Sequence, residues 1–313
     1  MKGKDLLSVA DLSGQDIQNL ISDAVIMKAR GWNNMLKHKM LALLFEKPSL
    51  RTRVSFELAM RQLGGQVIYL SPAEVGMGIR EPIPDIARVL SRYVDAIAAR
   101  TFRHQSLDTL SAYADIPVIN ALSDAEHPCQ ALSDLLTIYE KKGELSDLTL
   151  AYIGDGNNVA ASLMLAASLA GMRFIIASPE GYQLPENTCD LAREYAFESG
   201  ASIIFTRDPA EAVNGADVVY TDVWTSMGQE DEASRRRQVF AGYQVNKKLL
   251  SLAHQNAILM HPLPAHYGEE VAEGILDCEQ SVVFDQAENR LHLQKALLAE
   301  ILGGLEIPLA SCI

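Results

Sequence analysis

The sequence predicts an α/β protein made of two doubly wound parallel-sheet domains with a cleft between them. Three observations predict it. Short apolar runs of strand length alternate with amphipathic helical stretches along nearly the whole chain. The alternation pauses once, at Gly143 to Asp147, and then resumes. Unusual polar residues recur directly after the apolar runs, where open α/β sheets place their ligands.

The totals agree. At 313 residues the chain has room for two domains, and 48% hydrophobic with 21% charged residues is ordinary for a globular protein. A net charge of −13 argues against nucleic acid or an anionic membrane as partner. Any anion site must then be a local concentration of cations. Cys129, Cys189, Cys278 and Cys312 show no metal-ligand spacing, so reduced thiols in a cytoplasmic protein are expected. The N-terminus carries no apolar core of signal-peptide length, and no segment has the length and hydropathy to span a bilayer.

The elements follow in order. Ser13 and Asp16 form a capping-box pattern, and Ile17, Leu20, Ile21, Ala24 and Val25 keep helical spacing up to Gly31. Leu41 to Phe45 reads as a buried strand. A turn with Pro48, Ser49, Arg51, Thr52 and Arg53 leads into a helix whose apolar face is Phe56, Ala59, Met60 and Leu63. Ser49 suits its N-cap. The first turn of a helix favours acidic residues, yet this one holds two arginines, with Lys47 just before. Backbone N–H groups, two hydroxyls and guanidinium forks together suit a phosphate. The alternative is a basic surface turn.

Gly64-Gly65 ends that helix, and Gln66 to Leu70 is a strand. Ser71 to Pro84, with three prolines, Gly76, Gly78 and Arg80, reads as a long loop, either functional or a surface excursion. Asp85 to Arg92 reads as a helix, Ala96 to Arg100 as a strand, Ser106 to Ala114 as a helix and Pro117 to Asn120 as a strand. Pro128 opens a helix with Ala131, Leu132, Leu135 and Ile138 on its apolar face, closing near Gly143. That puts His127 at the helix start and Gln130 one turn in. In the second half, strands are expected at Thr149–Ile153, Arg173–Ala177, Ser202–Thr206, Val218–Thr221 and Ala257–Met260. Helices are expected at Val159–Ala170, Glu186–Ser199, Asp208–Val213 and Asn246–Ala253, with a last one over Ala287 to Leu302 crossing back to the first domain.

The strand ends carry the candidate chemistry. Arg100 suits either a ligand or a surface carboxylate, and His127 either a ligand or a helix cap. Gly154 to Asn158 reads GDGNN, but Val159 stands where a dinucleotide fingerprint has its third glycine, and Asp155 would repel a pyrophosphate. A tight turn that offers Asn157 and Asn158 at a helix start fits better, since an amide can both donate and accept. The loop from Asp222 is acidic through Glu230, Asp231 and Glu232. Asp222 can hold an ammonium group or simply cap, and Trp224 reads as packing.

FEKPSLRTRVSFE, HPCQ, GDGNN, DVWTSMGQE, HPLPA and AENR occur in this order along nearly the whole chain. Ordered and spaced like this, they resemble the motifs of the ornithine carbamoyltransferases, within the family that includes the aspartate carbamoyltransferases. The resemblance implies a carbamoyl phosphate domain over residues 1–143, joined by the C-terminal helix 287–313, and an amino-acid domain over 144–286. It implies a homotrimer or a multiple of trimers, and neither metal nor organic cofactor. Ser49, Leu50, Arg51 and Thr52 would wrap the phosphate. Arg100, His127 and Thr52 would polarise the carbamoyl oxygen, Gln130 would hold the carbamoyl nitrogen, and Arg290 would reach the same ligand. Leu263, beside Pro262, would present its carbonyl to the carbamoyl amide. Asn158, Asp222, Ser226 and Met227 would bind ornithine.

Three positions depart from the family pattern. Leu50 replaces a threonine, Pro262 replaces the cysteine of most ornithine enzymes, and Gly76 replaces a glutamine lent to the neighbouring subunit, where Arg80 would supply the contact. The acidic loop, with Ala265 where aspartate enzymes have arginine, favours ornithine over aspartate. Putrescine, an N-acylornithine and a non-catalytic binding role are the alternatives.

Overall fold

A computed structural model describes residues 1–31, 33–226 and 228–303. Met227 and Cys312 therefore lie outside the described residues. By packing, the chain divides into two units. Unit 1 takes Met1–Leu7, Ser22–Asp124 and the chain from Leu291, and unit 2 takes Ser8–Ile21 and Ala125–Arg290.

After α1 (Gly14–Arg30), unit 1 runs β1 (Met40–Phe45), α2 (Leu50–Gln62), β2 (Gln66–Leu70), α3 (Pro72–Val75), α4 (Ile83–Leu90), β3 (Ala96–Arg100), α5 (His104–Tyr113) and β4 (Val118–Leu122). Its sheet has the order β2-β1-β3-β4 with every pair parallel. A parallel sheet needs cover on its faces. Ala42, Leu44, Ile97 and Ala99 point into a core closed by Ile86 and Ala87 of α4 and Leu107 and Leu110 of α5. Because all four strands run the same way, Phe45 and Arg100, paired in register, end at one edge.

Unit 2 runs α6 (Pro128–Lys142), β5 (Thr149–Ile153), α7 (Asn158–Leu169), β6 (Arg173–Ala177), α8 (Glu186–Ser199), β7 (Ser202–Thr206), α9 (Pro209–Val213), β8 (Val218–Thr221), α10 (Ala233–Val239), α11 (Lys247–Leu250) and β9 (Ile258–Met260). The last helix, α12 (Val283–Ile301), passes from unit 2 into unit 1 after Arg290. The sheet order is β7-β6-β5-β8-β9, again parallel throughout. The order reverses direction at β5, so the loops after β5 and β8 flank a topological switch point, where such sheets bind ligands. The expected α/β class with two parallel sheets is what the chain forms.

Three differences from the sequence reading have local causes. Ser71–Pro84 is not an unstructured loop. It holds α3, with a capping box between Ser71 and Glu74, and Gly76 closes that turn in the left-handed conformation at φ 55°. The next helix starts at Ile83 rather than Asp85, because Pro84 fits a first helical turn. The helix α10 was not expected at all. Its signals are an acidic lead-in, Glu230–Glu232, and Arg236 and Arg237 in its last turn, both of which suit the helix dipole.

Candidate active site

In unit 1 the turn after β1 is built as its sequence dictates. Ser49 is the N-cap of α2, and its Oγ accepts from Thr52 N at 3.3 Å. The Ser49 hydroxyl also donates to Thr52 Oγ1 at 3.0 Å. Both hydroxyls are thus fixed at the helix start, while Leu50 stays 76% exposed. Thr52 is buried beneath the turn. Arg53 does not join this group. Its guanidinium lies 3.8 Å from the ring centroid of Tyr69 and 3.9 Å from Glu57.

Lys47 and Arg100 add positive charge to the same unit. Arg100 is buried at the end of β3, which removes the surface ion-pair reading. Lys47 is buried too, with its ammonium 4.7 Å over the Phe102 ring. Burial and then the Arg100 charge pull the Lys47 pKa down, while Asp124 and Glu46 pull it up. Lys47 and Arg100 are thus two buried cations near enough to feel each other's charge, with Asp124 and Glu46 beside Lys47.

In unit 2, His127 stands at the N-cap of α6, but its side chain makes no capping bond, so capping does not account for it. Its backbone N–H donates to Ser162 Oγ at 2.8 Å, and Ser162 donates to Glu126 Oε2 at 2.9 Å. Glu126 in turn accepts from Val9 N at 3.1 Å and from the Ser8 hydroxyl. This chain pins the His127 turn to α7 and to the N-terminal segment of unit 2. Cys129 beside it is inert, since burial pushes its thiol up to about 12.

The GDGNN turn serves the protein rather than a dinucleotide. A Cβ on Gly156 would lie 2.5 Å from the backbone of Gln183 and Leu184, so only glycine lets that strand of chain pass. Asp155 is paired with Arg236 at 2.8 Å, and both are buried. Arg236 also donates to Trp224 O at 2.9 Å and pairs with Glu232 at 2.9 Å. The acidic loop is therefore tied to the β5 turn through one guanidinium. Trp224 packs as expected, stacked on Phe240 at 5.7 Å.

Asn157 caps α7, accepting from Val159 N and Ala160 N, each at 3.0 Å. Its Nδ2 donates to Asp222 Oδ2 at 2.8 Å, while Val223 N donates to Asp222 Oδ1 at 2.8 Å. Burial raises the Asp222 carboxyl, and these hydrogen bonds oppose the rise. Asn158 is the first residue of α7, and Ser226 N donates to Gln229 Oε1 at 3.1 Å.

The loop after β9 is held by His261. Its Nδ1 accepts from Leu263 N at 2.9 Å, so Nε2 carries the proton and donates to Glu270 Oε1 at 3.2 Å. The loop thereby carries Leu263 at φ 55°, an uncommon conformation for a non-glycine residue, next to Pro262. Among the described residues, His266, Glu269 and Glu270 lie within 4.8 Å and could share a cation. Glu269 already pairs with Arg237 at 3.2 Å, and Glu270 with His261.

A family model described as aspartate/ornithine carbamoyltransferase, carbamoyl-P binding domain, matches residues 4–140. A second, described as aspartate/ornithine carbamoyltransferase, Asp/Orn binding domain, matches residues 146–301. The chain belongs to the aspartate/ornithine carbamoyltransferase family. Within it, the ornithine carbamoyltransferase of Anoxybacillus flavithermus is 55% identical over 306 residues, covering 96% of this chain and 98% of its own. The solved ornithine carbamoyltransferase of Pyrococcus furiosus superposes with a TM-score of 0.94 at 49% identity, over 97% of this chain and 99% of that one. The anabolic enzyme of Campylobacter jejuni gives 0.92 at 40% identity, over 95% and 98%. The first family model ends inside the last turn of α6, whereas packing counts α6 with unit 2, because it lies against α7.

The sequence reading missed Asp134, Gln286, the Glu126–Ser162 pair and the bond from Asn157 to Asp222. For Asp134 a signal was present: it is a carboxylate four residues after Gln130, on the same face of a helix.

Proposed function

We propose that the chain transfers the carbamoyl group of carbamoyl phosphate to the δ-amine of L-ornithine, giving L-citrulline and inorganic phosphate, in arginine metabolism. The observation that carries this is the 55% identity, along 96% of the chain, to a protein named ornithine carbamoyltransferase. The second substrate has independent physical support. An aspartate acceptor brings one more carboxylate and needs a further cation. In the loop after β8 the buried cation is Arg236, and it is already spent on Asp155 and Glu232. Asp222, by contrast, suits an ammonium group.

The site assignments are these. Ser49, Leu50, Arg51 and Thr52 hold the phosphoryl oxygens through the N–H groups of α2 and their side chains. Arg100, Thr52 and His127 stabilise the carbonyl oxygen as it gains charge, the kind of contact worth about 3–4 kcal/mol per donor. Gln130 takes the carbamoyl nitrogen, Leu263 offers it a carbonyl beside Pro262, and Arg290 binds the same ligand. Asn158, Asp222, Ser226 and Met227 hold the amino-acid end of ornithine. The neutral δ-amine attacks the carbonyl carbon, the C–O bond to phosphate breaks, and the departing phosphate takes up the amine proton. The δ-ammonium resembles that of lysine, with an ordinary pKa near 10.4, so the rate rises with pH through the neutral range.

Residues 1–143 with the C-terminal helix serve carbamoyl phosphate, and residues 144–286 serve ornithine. The assembly is a homotrimer or a multiple of it, with the segment of Gly76 and Arg80 at the subunit boundary. Arg80 donates to Glu74 O at 3.0 Å, and Ile79 beside it is exposed. Cys129, Cys189 and Cys278, which form no disulfide, fit the reducing cytoplasm. Among the described residues no helix is long and apolar enough to cross a membrane.

Product assays with carbamoyl phosphate and, in parallel, ornithine, aspartate, putrescine and N-acetylornithine test the proposal. Ornithine is expected to give a kcat/KM about a hundredfold or more above the others. Equal turnover of aspartate, or no turnover of any amine, would overturn it.

A further inference from the structure

Behind Gln130 lies a buried hydrogen-bond cluster that the proposed mechanism does not use. Asp134, fully buried on the next turn of α6, accepts from Gln130 Nε2 at 2.8 Å and from Gln286 Nε2 at 2.8 Å, both on Oδ1. Its Oδ2 accepts from the Tyr220 hydroxyl at 2.8 Å. Gln286 Nε2 also lies 3.2 Å from the Tyr220 hydroxyl, and Gln286 Oε1 accepts from His261 N at 2.9 Å. All five residues belong to unit 2. Three donors thus converge on one carboxylate, drawn from α6, β8 and α12.

A glutamine side chain has two chemically different ends. It donates through NH2 and accepts through oxygen. In water it rotates freely between them. Beside Asp134 it cannot, because an oxygen that already receives Gln286 can receive a second donor but has nothing to give to Gln130 Oε1. Turning the amide around would set oxygen against oxygen in a buried site, at the cost of an unmade hydrogen bond. A carbamoyl group also has two polar ends, and its nitrogen bears only hydrogens to donate.

We propose that Asp134 is a positioning residue for the transfer reaction: it locks the Gln130 amide with NH2 turned inward, so that Oε1 faces the carbamoyl nitrogen as an acceptor. This rests on the assignment of Gln130 to that nitrogen. The lock gives chemical selectivity, because an acyl phosphate with a methyl group in place of NH2 leaves Oε1 without a donor. The link from Asp134 through Gln286 to His261 N ties the same lock to the loop that carries Leu263. Burial pushes the Asp134 carboxyl up to about 7 against the pull of its three hydrogen bonds and of Arg290. A protonated carboxyl, like an asparagine, still keeps an acceptor oxygen at the Oδ1 position.

Acetyl phosphate is the probe, as a competitive inhibitor against carbamoyl phosphate with the full-length enzyme. The readout is the ratio of its inhibition constant to the KM of carbamoyl phosphate. Asp134→Leu is expected to lower that ratio about tenfold, chiefly by raising the KM, with kcat changed less. Asp134→Asn is expected to keep the wild-type ratio, because two donors hold its oxygen at the Oδ1 position while Tyr220 turns its hydroxyl to accept. If Asp134→Leu does not fold, Asp134→Ser, too short to reach Gln130, carries the same expectation. A purely structural Asp134 would lower the melting temperature and leave the ratio intact in Leu and Ser variants alike, which would overturn the proposal. Gln130→Met separates the two readings. A wild-type ratio there refutes the contact between Gln130 and the ligand. A collapsed ratio there with an intact one in Asp134→Leu refutes the positioning role alone.

Discussion

The turn at Ser49 in unit 1 and the buried polar clusters of unit 2 are held by opposite means. In unit 1 the candidate phosphate grip is a single turn of contiguous residues. Ser49 and Thr52 bond to each other three positions apart, at the start of a helix that begins with an exposed leucine. In unit 2 the equivalent work is done by partners remote in sequence. Asp134 and Gln286 are 152 residues apart, and Asp155 and Arg236 are 81 apart. A contiguous grip depends on local geometry, so its residues can change with little loss of stability. A network drawn from several elements is part of the core, and the residues that orient ligands there also hold the unit together.

The sharpest way to break this contrast is in unit 2. Arg236→Met leaves Asp155 buried and uncompensated, and is expected to cost about 3–5 kcal/mol in chemical denaturation. The cost has a pH signature. Even with Arg236 present, burial pushes the Asp155 carboxyl up to about 6, above its ordinary 3.8. Without the arginine the folded-state value rises further, so the fold binds the proton more readily than the unfolded chain. Stability of the variant relative to wild type should then be least impaired near pH 5 and most impaired near pH 8. A loss of under about 1 kcal/mol, flat with pH, would mean that the pair is no better than a surface ion pair. The matching change in unit 1 is smaller. Ser49→Ala removes one helix cap and is expected to cost about 1 kcal/mol. A loss as large as that of Arg236→Met would erase the distinction between the units.

The same contrast explains what could be read from the sequence. Strands such as Ala96–Arg100 and Arg173–Ala177 were legible because buried parallel strands are short apolar runs between turn signals. The Ser49–Thr52 turn was legible because its signal, misplaced positive charge at a helix start, lies within a few residues. The first helical turn after Ser71 was hidden by prolines that read as loop, although one of them occupies the helix start. Gln286 and Ser162 carried no such signal. A buried glutamine and a mid-helix serine declare their roles only when the fold brings Asp134 and Glu126 to them. Asn157 illustrates the boundary between the two cases. Its place at a helix start was readable, and its bond to Asp222, 65 residues on, was not.

Every role proposed for the site depends on the phosphoryl group being held at the start of α2. Equilibrium titration of carbamoyl phosphate into the wild-type protein and into Arg51→Ala, without ornithine, addresses it most directly. The expected result is an affinity weakened about a hundredfold or more in the variant, as for loss of a charge-assisted, bidentate contact, with an unchanged melting temperature. Equal affinity in the two proteins would contradict the account.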